Sequence, residues 1–228
     1  MKTEVLADAD VAAARAAKVI AAEASIAVSA RGKFVMAVSG GRTPWQMLRA
    51  LAREPMPWSE VHLVQVDERV APAGHPDRNL THLYESLAAI APQIHAMPVE
   101  EEDLAAAAEN YARLLQQIAG SPPILDLVHL GLGPDGHSAS LVPGDPVLDV
   151  TEKDVAMTGI YQQRRRMTLT YPIINRSRRI LWLVTRREKR EMLRRMQSGD
   201  FSIPAGRIRQ DSALLLADRA AIGKEKSE

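Results

Sequence analysis

Leu125-Asp126-Leu127-Val128-His129-Leu130-Gly131-Leu132-Gly133-Pro134-Asp135-Gly136-His137-Ser138 is the stretch on which the fold turns. Its first half is a short apolar run of the length of a buried strand. Its second half packs three glycines and a proline between Gly131 and His137, so the strand ends in a sharp turn. The same grammar recurs on either side. Lys33–Val38 runs into Ser39-Gly40-Gly41, Val61–Val66 into Asp67-Glu68-Arg69, and Ile180–Val184 into Thr185-Arg186-Arg187-Glu188-Lys189.

Helical patterns fill the gaps between these runs. Asp8–Ala30 is Ala-rich, offers Asp8 or Asp10 as N-cap and stops at Gly32. A second helix carries Pro44 in its first turn, where a missing N–H costs nothing. Asp103–Ala119 and Arg186–Gln197 read as two more, the latter with Met192, Leu193 and Met196 as its apolar stripe and with arginines on its solvated face. Ser138-Ala139-Ser140-Leu141 looks like a further helix start, and Arg166–Thr170 and Ser212–Ala217 like further strands. Strands alternating with helices predict an α/β fold, a mostly parallel sheet with helices on both faces. No repeat, linker or composition shift divides residues 1–228, so one domain is expected.

Composition excludes several classes of function. Without cysteine there is no disulfide framework, thiolate metal site or cysteine nucleophile. The histidines at 62, 75, 82, 95, 129 and 137 show no HxxxH or HExxH spacing, so no metal is expected. No Gly-x-Ser-x-Gly elbow offers a serine nucleophile. The N-terminus has no basic segment followed by an apolar run, and no stretch approaches the ~18 apolar residues of a membrane span. A cytoplasmic protein without membrane contact is the expectation. The formal charge of +1 hides an asymmetry: residues 164–195 hold twelve Lys and Arg against two Glu, and the remainder is acidic. That segment could meet nucleic acid or, with some cations turned toward the strand ends, a small anion.

Ligands of open parallel sheets lie beyond the carboxyl ends of the strands, where polar groups converge here. Ser39-Gly40-Gly41-Arg42-Thr43 joins two glycines, two hydroxyls and a cation at a helix start, a pattern that suits a phosphate and equally a capped tight turn. It is neither a Walker A loop nor a GxGxxG fingerprint. Asp67-Glu68-Arg69 ends an apolar strand with three charges. In the last loop Asp135 stands two residues before His137, close enough to fix the imidazole tautomer and raise its basicity, and Gly136 permits the turn between them.

Three motifs in order, Ser39-Gly40-Gly41-Arg42-Thr43-Pro44, Val66-Asp67-Glu68-Arg69-Val70-Ala71-Pro72 with His75 and Asn79, and Leu130-Gly131-Leu132-Gly133-Pro134-Asp135-Gly136-His137-Ser138-Ala139-Ser140-Leu141, closely resemble the 6-phosphogluconolactonase family. Met167-Thr168-Leu169-Thr170, Asn175, Val184-Thr185, Glu188-Lys189 and Pro204-Ala205 follow in the family's order. The resemblance implies a modified Rossmann-like sheet, no cofactor, and hydrolysis of 6-phosphoglucono-δ-lactone in the oxidative pentose phosphate pathway. By the same resemblance His137 is the general base, Arg69 stabilises the oxyanion or orients the sugar acid, and Asp67 and Asp135 position Arg69 and His137. Ser39, Gly40, Gly41, Arg42 and Thr43 would take the phosphate, with Lys189 as cationic partner. Three positions depart from the family pattern: Arg78 for Ser, Val142 for Phe, and Arg186 for a Gly before the Glu-x-Lys element.

Two rivals are set against that reading. An amino-sugar-phosphate deaminase or isomerase shares the fold and the Asp-Gly-His, but resembles Asp-Glu-Tyr where this chain has Asp67-Glu68-Arg69. A sugar-phosphate sensor or nucleic-acid-binding module would use the basic segment, yet the opening helix leads straight into the first apolar strand with no room for a DNA-binding element. A small sugar-phosphate lactone is therefore the expected partner, and nucleic acid is not.

Overall fold

The computed structural model describes residues 1–90 and 92–223. In chain order the elements are β1 (Lys2–Leu6), α1 (Ala9–Arg31), β2 (Phe34–Val38), α2 (Arg42–Leu51), β3 (Val61–Gln65), β4 (Asp67–Arg69), α3 (Asn79–Ser86), β5 (Gln93–His95), α4 (Leu104–Ala119), β6 (Leu127–Leu130), β7 (Val155–Met157), β8 (Arg166–Leu169), α5 (Tyr171–Arg176), β9 (Arg179–Val184), α6 (Arg190–Gln197), β10 (Ala213–Asp218) and α7 (Arg219–Ile222). Seven strands form one sheet in the order β1-β10-β9-β6-β2-β3-β5, and every neighbouring pair is parallel. A second, antiparallel sheet has the order β4-β8-β7.

Strand β2 shows why the sequence builds two cores. All five of its residues are buried. Phe34, Met36 and Val38 pack on one face with Ile20 of α1 and Met47 and Leu48 of α2. Val35 and Ala37 point to the other, with Tyr111 and Leu115 of α4 and Leu193 and Met196 of α6. A central parallel strand is covered on both faces, which is why it reads as an unbroken apolar run. The small residues of α1 have the same logic: Ala12, Ala13, Ala16, Ala17, Ala24 and Ala27 are buried against the sheet, where larger side chains would hold the helix away. Its ends are the expected ones, Asp8 accepting from the Val11 N–H and Gly32 in the left-handed region at φ 73°.

The structure corrects three expectations and adds three strands. Asp67-Glu68-Arg69 is a strand in its own right rather than the tail of β3. Val66 still donates to Val38 in the large sheet, but its carbonyl accepts from Leu169, and from there the chain pairs with β8 in the small one. Ser138–Leu141 is a tight turn, not a helix start, with Ala139 at φ 53°. The Ser140 hydroxyl and N–H donate to Asp67 and Thr168, which draws the segment onto the small sheet. The helix expected over Arg186–Gln197 begins only at Arg190, after a 3-10 turn, because Arg186 stands at φ 82° where no helix can continue. β1, β5 and β7 carry too little apolar pattern to announce themselves: β1 is a half-exposed edge strand, and the other two have three residues each.

Chain order places the site. From β2 the chain steps to β3 and β5 on one side, then returns to β6 on the other and continues to β9 and β10. The reversal falls between β2 and β6, where the flanking connections leave in opposite directions and open a crevice at the carboxyl ends. The loops after β2, β6 and β9 and the small sheet surround that crevice.

Candidate active site

A cleft of about 280 Å³ lies at this switch point and is lined by all four sequence segments singled out above. Arg42, Arg69, Arg166, Arg186 and Lys189 face it, against Asp67 and Glu188. The surplus of cations makes it a receptor for an anion. The other arginines of the basic segment mostly neutralise the acidic body: Arg164 pairs with Asp77, Arg176 with Asp154, Arg178 with Asp126, Arg179 with Glu23 and Arg195 with Asp200. The charge asymmetry of the sequence is thus largely an internal pairing.

His137 sits on the loop after β6 with its side chain 20% exposed. Its Nδ1 lies 2.5 Å from Oδ1 of Asp135, whose same oxygen accepts from the His137 N–H at 3.2 Å. The carboxylate therefore accepts a hydrogen bond from Nδ1–H and leaves Nε2 as the basic nitrogen. The imidazole beside it holds the Asp135 carboxyl well below the usual carboxylate range, a shift that outweighs the opposing effect of burial. Gly133 packs directly under the ring; a Cβ there would overlap Nδ1.

Arg69, on β4, directs Nη1 at the Asp77 carbonyl at 2.8 Å and at Oδ1 of Asn79 at 3.0 Å. Asn79 is itself held by Nδ2 donating to the Asp67 carbonyl at 2.9 Å. Asp67 reaches the Arg69 support indirectly, through Asn79: its Oδ1 lies 3.4 Å from the same Asn79 Nδ2, while Oδ2 accepts from Ser140 at 2.6 Å and lies 3.9 Å from Arg166. Asp67 and Arg69, two apart on β4, share the face that lines the cleft, and Glu68 between them points into the core. Glu68 is fully buried and accepts from the N–H groups of Arg69, Asn79 and Leu80, with Arg78 at 3.1 Å as its counter-ion. Arg78, where the family pattern has Ser, is therefore a buried partner of the loop that presents Arg69.

The Ser39–Thr43 loop opens α2 with Gly41 as an N-cap lacking any side-chain cap bond. The Arg42 and Thr43 amides of the first turn thus receive no side-chain cap. Both hydroxyls have structural partners. Ser39 donates to the His129 carbonyl at 2.9 Å, tying the β2 and β6 loops together, and Thr43 shares a 2.9 Å hydrogen bond with Thr185. Gly40 leaves the space that Asn79 fills, so the phosphate-type loop and the Arg69 support touch. Lys189 lines the cleft, with its pKa drawn down by burial against the pull of Glu188. Arg186 takes its φ of 82° with its N–H on both carboxylate oxygens of Asp218 at 3.1 and 3.0 Å. That backbone is the reason a glycine is the usual choice there.

Sequence reasoning passed over Gly133, Tyr161 and Arg166 as site residues and quoted Asn79 only as part of a motif. Arg166 is 4% exposed, and its Nε has no partner among the described residues. Nothing in an arginine-rich run marks which cation turns inward. No group of three or more His, Asp or Glu side chains is placed to hold a metal ion among the described residues. Likewise, no helix among them is long and apolar enough to cross a membrane.

A parallel sheet covered on both faces, an anion-binding cleft at its switch point and a histidine oriented by a carboxylate define a class of enzyme that acts on phosphorylated sugars. Within it, the chain belongs to the glucosamine-6-phosphate isomerases/6-phosphogluconolactonase family, whose model matches residues 7–216. It is 33% identical over 235 residues to a 6-phosphogluconolactonase of Nostoc sp., covering 98% of both chains. Among solved structures, the 6-phosphogluconolactonase of Thermotoga maritima is 25% identical with a TM-score of 0.83, covering 95% of this chain and 98% of that one. A monomeric glucosamine-6-phosphate deaminase at 20% identity also has a TM-score of 0.83, covering 99% of this chain and 100% of that one, so the backbone alone does not separate the two activities.

Proposed function

We propose that the protein hydrolyses 6-phosphoglucono-δ-lactone to 6-phosphogluconate, with His137 as general base. The observation that carries the reading is the 2.5 Å Asp135–His137 contact at the edge of a cationic cleft. In this scheme Nε2 of His137 removes a proton from water as its oxygen attacks the lactone carbonyl carbon. The carbonyl π electrons move onto oxygen, where the Arg69 guanidinium balances the charge. The tetrahedral intermediate collapses with cleavage of the bond from the carbonyl carbon to the ring oxygen, and the imidazolium returns its proton to that leaving oxygen. A carboxylic acid and a hydroxyl result, and the acid ionises at neutral pH by releasing its proton to solvent.

The phosphate is assigned to the open amides of α2 and to Arg42, Arg186 and Lys189, with the Ser39 and Thr43 hydroxyls holding the loop. Anchoring at that end fixes the distance to the reacting carbonyl, so binding energy is converted into orientation. A δ-lactone is an activated ester, and a base, a cation and an anchor are sufficient without a covalent nucleophile. The curated relatives named 6-phosphogluconolactonase support this substrate over an amino sugar phosphate, as does Arg69 at the position where the deaminases resemble Tyr. Parallel assays decide between them: lactone opening above the spontaneous rate is expected, and ammonia release from glucosamine 6-phosphate is not.

A further inference from the structure

Tyr161 reaches the Asp135–His137 pair from a hairpin that the scheme above does not use. Its hydroxyl donates to Oδ2 of Asp135 at 3.1 Å, the carboxylate oxygen that His137 leaves free. Its ring meets the imidazole edge-on, with centroids 5.5 Å apart and planes at 68°. The guanidinium of Arg166 lies 5.0 Å from the Tyr161 ring centroid, a cation–π contact from a buried side chain of β8.

The hairpin that carries Tyr161 is built at a cost. Tyr161 and Arg164 exchange backbone hydrogen bonds around a two-residue turn, with Gln162 at φ 50° and Gln163 at φ 66°. Both central residues of such a turn need positive φ, which favours Asn and Gly and disfavours glutamine. Side chains hold the turn from both flanks. Gln162 accepts from Nη2 of Arg166 at 3.1 Å, and Nε of Arg164 donates to Asp77 at 2.7 Å. Asp77 is the residue whose carbonyl holds Arg69, so one hairpin touches the supports of both the base and the cation.

We propose that Tyr161 is a positioning residue for the general base, pinning the second oxygen of Asp135 with its hydroxyl and walling the imidazole of His137 with its ring. The proposal rests on the reading of His137 as base. With both oxygens engaged, Asp135 cannot rotate, and the plane of the imidazole is fixed with Nε2 free. The charged and titratable groups facing the pair are Tyr161 of the hairpin, Arg166 behind it on β8 and Lys189 after β9. Met192 and Ile203, packed at Gly136, add only apolar surface.

Tyr161→Phe keeps the ring and removes the hydroxyl. The ring signals of His137, followed by NMR of its imidazole in the free enzyme, are expected to broaden and shift at fixed pH as Asp135 and the ring lose their single orientation. At neutral pH kcat should fall about tenfold with KM little changed, since the hydroxyl orients the base and does not bind substrate. Tyr161→Leu, which removes the ring as well, should lose more. A Tyr161→Phe imidazole spectrum superimposed on that of the parent would overturn the proposal, whatever the change in melting temperature. The NMR readout needs no turnover, so failure of the positioning role and failure of the lactonase reading are told apart.

Discussion

Gly133 lies against the imidazole of His137 so closely that a methyl group in place of its hydrogen would occupy the position of Nδ1. The φ of Gly133 is not positive, so the backbone would accept alanine and only the ring must move. Gly133→Ala is therefore expected to melt near the parent and to lose kcat/KM by about 10²-fold, the scale of a base displaced by about an ångström. Thermal denaturation and lactone hydrolysis on the same preparation separate the two effects.

Asn79 transmits the position of Gly40 to Arg69. Asn79→Ala frees one guanidinium contact and should lower kcat by about 10-fold to 10²-fold with a smaller change in KM, since the cation acts on charge developed in the transition state. Gly40→Ala, which pushes Asn79 out of its place, should reproduce part of that loss.

Asp135→Asn preserves shape and removes charge, and the amide can offer Nδ1 a hydrogen in place of an acceptor. A fall in kcat of about 10²- to 10⁴-fold is expected from the wrong tautomer. Because His137 depresses the pKa of Asp135 in the folded protein, the associated stabilisation is complete above the ordinary carboxylate pKa of about 4. It is lost only as the pH falls from there through the lowered value. Protonation of Asp135 therefore does not shape the activity profile near neutrality, and the loss in Asp135→Asn should be the same across that range.

Arg186 combines strain with charge. Arg186→Gly relieves a φ of 82° and should raise stability by about 1 kcal/mol while raising KM for the phosphorylated lactone. Chemical denaturation and steady-state kinetics measure the two. An unchanged KM would remove Arg186 from the phosphate site.

His129 is buried beneath the Ser39 loop, and desolvation pushes its pKa down to about 3. The unfolded chain, with an ordinary histidine near ~6.5, binds a proton that the folded protein refuses. Stability is thus full above pH ~6.5 and declines as the pH falls toward the folded value, by roughly 2 kcal/mol at pH ~5. His62 and His95, 3.0 Å apart and both lowered by burial, act in the same direction. His129→Leu should flatten the acid side of the stability profile without abolishing the decline, as read from urea titrations across pH.

How much of this was legible in the sequence depends on how local the signal is. β2, β3, β6 and β9 announce themselves because a strand covered on both faces must be apolar throughout, and Asp8, Gly32 and Asp103 mark helix ends by their own chemistry. The Asp135–His137 pair is equally local, two residues in one turn. Arg69 is marked by its motif, but its direct support is not: Asp67 lies two residues away in sequence, whereas Asn79 meets Arg69 from ten residues on, across a loop whose Arg78 and backbone N–H groups meet Glu68 in the core. Tyr161 and Arg166 reach the site through β8, whose partner β4 lies about a hundred residues earlier. No local pattern encodes that pairing.

The central claim is that His137 activates water for attack on the lactone. Hydrolysis of 6-phosphoglucono-δ-lactone by the parent and by His137→Ala, each timed against the spontaneous reaction, tests it most directly. The account predicts rapid opening by the parent and a loss of at least about 10²-fold in the variant, which approaches the uncatalysed background. Parental turnover in a folded His137→Ala protein would contradict it.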